Sequence, residues 1–201
     1  GLGSAEWENK GFGNTASSGA ARINLFDNTI EDWLLSPEYD LTSGGPYQVE
    51  FDFGVFEFSF GTSGSATGTL GSDDQVQLLV SSDNGVTWTS LATFDNTYVT
   101  NTGGNHETID LSVYSGNTVK FGIWASEGTT DDAEDMDVFV DNFQVRLIPT
   151  CADPTNPGAT NITDVSADLY WTESGTATSW NVEYGVSGFT LGVGTSIVAS
   201  N

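Results

Sequence analysis

The sequence predicts an all-β protein: a jelly-roll β-sandwich followed by the first strands of a second sandwich. Three observations carry this. Helical periodicity is nearly absent along the 201 residues. Short runs of β-branched and aromatic residues alternate with polar ones, and Gly, Asn, Asp and Ser clusters separate them, the pattern of strands joined by turns. Apolar residues make up 37% of the chain, with 6 Trp, 6 Tyr and 12 Phe. A domain of about 150 residues with that content fills a core without disulfides.

The strands follow in order. A first one falls within Ser18–Asn28 (SGAARINLFDN). In Val49–Val55, Val49, Phe51, Phe53 and Val55 share one side, and Glu50 and Asp52 the other. The phase slips near Gly54, which predicts a bulge, with Phe56, Phe58 and Phe60 continuing the strand. Gln75–Val80 (QVQLLV), Thr87–Phe94 (TWTSLATF), Val119–Ala125 (VKFGIWA) and Asp137–Leu147 (DVFVDNFQVRL) complete the main set. Gly61–Asp74 reads as a mobile loop whose side chains are too small to pack a core. Ile148–Pro157 holds three of the five prolines and reads as a linker, dividing a sandwich over 1–147 from a segment over 158–201. No internal repeat occurs.

In that last segment, "SADLYW" and "SWNVEYG", preceded by "TNPGATNIT", resemble the opening strands of a fibronectin type III module, with Trp171 as its core tryptophan. The resemblance implies an immunoglobulin-like sandwich of about seven strands and ~100 residues. Residues 158–201 are too few for it, so the expectation is an incomplete module with further domains of the same polypeptide beyond it.

Charge excludes several partners. Four basic residues (Lys10, Arg22, Lys120, Arg146) face 28 acids, a formal net charge of −24. Such a surface repels nucleic acid, anionic membranes and sulfated glycans, and attracts divalent cations. No apolar run is long enough for a membrane span. The one thiol, Cys151, falls in the linker and supplies no internal bridge.

Catalytic signals are sparse. "SSDNGVTW" (Ser81–Trp88) resembles the Asp-box of sialidase-type propellers, where it recurs once per blade. Here it occurs once, and Arg22 and Arg146 are the only arginines, so it reads as a hairpin turn: Asp83 accepts backbone N–H groups and Gly85 takes a positive φ. His106, the only histidine, reads as a surface turn residue; no G-x-S-x-G elbow accompanies it. Zinc lacks its His and Cys ligands. A glycosidase carboxylate pair remains open, though nothing singles one out.

Calcium chemistry has more support. Between Phe121 and Val145 lie seven acids (Glu127, Asp131, Asp132, Glu134, Asp135, Asp137, Asp141), with no Lys or Arg. Calcium takes six to eight oxygen ligands from carboxylates and carbonyls. Asp141 shares parity with Phe139, Phe143 and Val145, so a bare carboxylate there calls for a hydrogen bond or a metal; Asp137 has the same parity. Asp32 and Asp52, each beside an apolar strand, are further candidates. The alternative is that the Val138, Val140, Asn142 face is buried and both acids are solvated.

Several stretches, in their order, resemble one family. "DWLLSPEYDL", "VEFDF", "VQLLVSSDNGVTW", "ETIDLSVYSGNTVKFGIWA" and "DVFVDNFQV" are similar to the MAM-like jelly rolls that include the cleaved-adhesin domains of secreted Bacteroidetes proteins. The resemblance implies a secreted or cell-surface, non-catalytic sandwich, often calcium-stabilised, serving in adhesins or beside proteases and glycoside hydrolases. It also implies metal-edge positions at Asp141 and Asp32. Two departures are a shortened N-terminal strand and a longer acidic insert at Thr129–Asp135.

For ligand binding, Val119, Phe121, Ile123 and Ala125 share a parity that leaves Lys120, Gly122 and Trp124 on the other face. Trp124 beside small or polar neighbours suits stacking on a sugar ring, unless it packs under a loop; Lys120 accompanies it. Trp33, Tyr39 and Tyr47 read as core or edge residues. The expected function is adhesion or substrate attachment for a larger secreted or cell-surface protein, toward a surface glycan or protein ligand. A carbohydrate-binding module serving an attached hydrolase is the alternative, and a carboxylate-pair hydrolase a third.

Overall fold

The computed structural model describes residues 6–16, 19–148, 154–175, 177–190 and 192–200. Cys151 lies outside them. The chain divides into two compact units, Gly1–Ile148 and Pro149–Asn201. Both are all-β and antiparallel, as the alternating runs require. Among the described residues no helix is long and apolar enough to cross a membrane.

In the first unit, β1 (Glu8–Lys10), β2 (Ala20–Leu25), β3 (Glu31–Asp40), β4 (Tyr47–Glu57), β5 (Gln75–Ser81), β6 (Thr89–Phe94), β7 (Asn105–Asp110), β8 (Thr118–Ser126) and β9 (Met136–Leu147) form two sheets. One has the order β1-β2-β9-β4-β7, the other β3-β8-β5-β6. Their facing residues make one core. Ile23, Val49, Phe51, Phe53, Val55, Val138 and Val140 come from the first sheet; Val76, Leu78, Val80, Phe94, Val119, Phe121 and Ile123 come from the second. Phe53 stacks on Phe94 across the sandwich, with ring centroids 4.0 Å apart. Period-two alternation directs these side chains inward, and their burial drives the layers together.

The bulge lies elsewhere than expected. β4 keeps its phase through Gly54 and ends at Glu57. Val55 and Phe56 are both buried because Phe56 joins Phe12, Ala20 and Phe139 in a small cluster on the outer face. Gly54 makes room for it, since a Cβ there would lie 2.6 Å from the Phe56 ring. Phe60, beyond the strand, is exposed. The extra residue sits instead in β9, where the partner of Glu50 is Gln144 but that of Asp52 is Asp141. Asn142 takes φ 51° at that point.

The loop before β5 also differs from expectation. It doubles back along β4, Glu57 N–H donating to the Ala66 carbonyl and Gly68 N–H to that of Val55, both at 2.9 Å. Leu70 is buried in the core. His106 lies within β7 rather than in a turn.

In the second unit, β10 (Thr155–Thr160) pairs with β11 (Asp168–Thr172), and β12 (Ser179–Tyr184) with β13 (Thr195–Ser200). β10 begins inside the expected linker. The Trp171 and Trp180 rings meet edge-on at 5.2 Å.

Candidate functional site

The four acids predicted as metal ligands are only partly brought together. Asp52 and Asp141 are cross-strand partners on the first sheet. Asp52 Oδ1 meets His106 Nδ1 at 2.8 Å, and its Oδ2 accepts from the Asn142 amide at 2.6 Å. Burial pushes the Asp52 carboxyl up, but the Asn142 and His106 contacts together hold it below its usual value. The β9 bulge takes Asp141 off the core face: Val138 and Val140 point inward before it, Phe143 and Val145 after it. The Asp141 carboxylate accepts from Asn142 N–H at 2.8 Å and borders an apolar groove of about 330 Å³ with Leu34, Pro37 and Phe143.

Asp137 is buried completely, but with a protein counter-charge. The Arg22 guanidinium opposes it as an ion pair, the Asn14 amide donates to Oδ2 at 2.7 Å, and Ser59 N–H donates at 3.3 Å. Asp137, expected as a metal ligand, thus has Arg22 as its counter-charge. Asp32 belongs to the other sheet, where its buried carboxylate accepts from Glu6 and Trp33 N–H groups, each at 2.8 Å.

The outer face of the second sheet gathers the tryptophans. Trp33 and Trp124 are direct cross-strand partners on β3 and β8, and Gln77 of β5 lies opposite Trp124 on its other side. Gly122, two residues from Trp124, is overlaid by Trp33 and Trp88; a Cβ on it would lie 3.0 Å from one ring and 3.2 Å from the other. Those two rings are 5.4 Å apart. All three indoles are partly exposed. Trp124 Nε1 donates to Glu31 at 2.9 Å, and Lys120 Nζ donates to Asn84 Oδ1 at 2.8 Å. Lys120 thus ties the face to the Ser81–Trp88 turn.

That turn is what positions Trp88. Asp83 Oδ1 accepts from Val86 and Thr87 N–H at 3.1 and 2.8 Å, while Oδ2 accepts from the Thr87 hydroxyl at 2.6 Å. Asn84 and Gly85 take φ of 58° and 88°, the left-handed region that suits Asn and Gly. The Thr87 hydroxyl foremost, with the Thr87 amide and the Ser81 hydroxyl, draws the Asp83 carboxyl down to about 2. The chain leaves the turn with Trp88 folded back on Gly122.

A third constellation, absent from the predicted site set, lies at one end of the second sheet. Gln75 of β5 and Glu31 of β3 both pair with Ser126 of β8. Asp74 and Glu127 are therefore the next residues beyond that shared rung. Glu127 is fully buried and Asp74 nearly so. Neither Glu127 oxygen has a hydrogen-bond partner, nor does Asp74 Oδ1. Asp74 Oδ2 accepts from Gly71 N–H at 2.8 Å. Asp132 Oδ2 accepts from Ser72 N–H at 2.5 Å, and Asp73 accepts from the Thr129 and Thr130 amides, which laces the two loops together. Burial first, then the charges of Asp74, Asp131, Glu134 and Asp132, push the Glu127 carboxyl up to about 8. Burial and neighbouring acids likewise raise Asp74 to about 6. Glu127 was visible in sequence as one acid of a run; its meeting with Asp74 was not.

Among the described residues, no three acidic, His or Cys side chains converge closely enough to hold an ion by themselves. No protein-family model matches the chain, and no curated protein matches it.

Proposed function

We propose that the first unit is a non-catalytic attachment module of a secreted or cell-surface protein, and that it holds a neutral glycan on the outer face of the β3-β8-β5-β6 sheet. The observation that carries this reading is the grouping of Trp33, Trp88 and Trp124 around Gly122 on one solvent-facing surface. Indole faces stack on the C–H faces of pyranose rings, and polar groups beside them meet the hydroxyls. Gln75, Gln77 and Glu31 border the rings here. The charge of −24 disfavours sulfated or uronic chains, which leaves neutral polysaccharide as the occupant. Resemblance to secreted adhesin-type jelly rolls supports the extracellular setting.

Affinity electrophoresis of the full chain through gels containing β-glucan, xylan, mannan or starch tests this. One of these polymers should retard the protein, and Trp124→Ala and Trp33→Ala should each weaken binding roughly tenfold, about 1.4 kcal/mol. Trp171→Ala, in the second unit, should leave it unchanged. Failure of all four polymers to retard the protein, or retardation indifferent to both face variants, removes the proposal. Turnover of any polymer would replace attachment with hydrolysis.

A further inference from the structure

The side of the sandwich where β3 is the outermost strand of its sheet holds the apolar groove of about 330 Å³. Two irregular stretches of strand meet there. On β3, Leu35 pairs with Gly122 and Glu38 with Lys120, so Ser36 and Pro37 stand against one residue of β8. On β9, Asp141 pairs with Asp52 and Gln144 with Glu50, so Asn142 and Phe143 stand against one residue of β4. Ser36, Pro37, Asn142 and Phe143 all line the groove. Bulges bend the strand that carries them and re-aim its side chains, which leaves this seam between the sheets open.

The groove has an apolar body and one open polar function. Leu34, Tyr39, Phe121 and Phe143 wall it, with Leu35, 46% exposed, among the lining. Its donors are spent: the Ser36 hydroxyl on the Pro37 carbonyl at 2.7 Å, Asn142 N–H on Asp141 Oδ1 at 2.8 Å, and the Asn142 side-chain amide on Asp52 at 2.6 Å. Asp141 Oδ2 accepts from no described residue. Nor is a cation of the chain's own at hand. Lys10 is engaged with the Ser59 carbonyl, Arg22 with Glu8 and Asp137, Lys120 with Asn84, and Arg146 with Glu50.

We propose that this groove binds a small primary amine, its ammonium group on Asp141 and its compact aliphatic or aromatic body between the sheets. The site goes beyond the glycan reading and stands without it. An ammonium group brings both the charge and the donors that Asp141 lacks, and such charge-assisted hydrogen bonds are the strong ones. An anionic ligand would meet like charge at Asp141 and across a surface of net charge −24. The volume is at the low end for ligand pockets, which suits one ring or a short alkyl chain.

The test titrates the full, isotope-labelled chain with phenethylamine and follows its amide shifts by NMR. Shifts should cluster at Leu35, Ser36, Asn142 and Phe143 and saturate with a Kd of about 1 mM or tighter, as the size of the ligand allows. Phenylethyl alcohol, which keeps the shape without the charge, should bind about tenfold more weakly. Methylamine, which keeps the charge without the body, should not saturate these shifts. Asp141→Asn should fold as the parent does, bind phenethylamine about tenfold more weakly and leave the alcohol unchanged. Leu35→Ser should weaken both ligands. Shifts that are absent, scattered over the acidic surface or matched by methylamine overturn the proposal. So does equal binding of amine and alcohol, or undiminished amine binding in Asp141→Asn. Tighter binding of Nα-acetyl-lysine methylamide at the same residues would overturn it too, assigning the groove to a lysine side chain of a partner protein.

Discussion

Asp137 and Glu127 are both carboxylates with no exposed surface, and the fold treats them in opposite ways. Asp137 lies on the outer face of the first sheet with Arg22 against it and the Asn14 amide and Ser59 N–H donating to it. Glu127, past the end of the second sheet, has acids for neighbours. Glu50 follows the first pattern, since Arg146 pairs with it and Gln144 donates at 3.1 Å. Both arginines are therefore committed to the first sheet. A chain with four basic residues and 28 acids cannot neutralise every buried carboxylate from within. Where it does so, the acid keeps its charge against a partner; where it does not, burial and neighbouring acids push the carboxyl toward its neutral form.

Removing an internal counter-charge should break the first pattern hardest. Arg22→Ala strands Asp137 in the interior and should cost about 3–5 kcal/mol in urea unfolding. A cost under about 1 kcal/mol would show that Asp137 does not depend on Arg22, and the contrast with Glu127 would dissolve. Arg146→Ala should cost less, about 1 kcal/mol, because the Arg146 side chain is 45% exposed and Glu50 keeps Gln48 and Gln144 as donors.

The smallest effect sharpens the comparison from outside. Asp83 is exposed and is held by hydroxyl and amide donors alone. Its folded pKa of about 2 lies below the unfolded value of about 3.9. The turn's contribution is therefore present above pH ~3.9 and is lost as pH falls through about 2. The melting-temperature gap between the parent chain and Asp83→Ala should be full at pH 5 and shrink toward pH 2. A gap of equal size at both pH values would contradict this.

Much of the sandwich was legible because period-two alternation survives in nearly every strand. Phe51, Phe53, Val76, Leu78, Phe121 and Ile123 face the core as their parity requires. Parity misled at Asp141, since one extra residue in β9 reverses the face of everything after it, and the local trace of that insertion is Asn142 itself, a residue type that tolerates the positive φ it takes there. It misled again at Gly54, where two buried neighbours signal a core on each face rather than a slip. The small-residue loop before β5 hid Leu70, whose burial depends on how that loop lies along β4. Trp124 was placed on the outer face by local pattern. Trp33 and Trp88, separated from it by 91 and 36 residues, join it only through strand pairing and the turn.

The order of residues alone determined the all-β class, the inward face of most strands, the turn at Asp83 and the surplus of acid. These depend on neighbours a few positions apart, where backbone geometry ties each side chain to a face. Only the tertiary structure decided which acids meet a cation of the protein's own and which meet one another. Asp74 and Glu127 are 53 residues apart, and they adjoin because β5 and β8 pair in one particular register. Charge interactions act through space, so their sign at any carboxylate is set by what the fold brings near it.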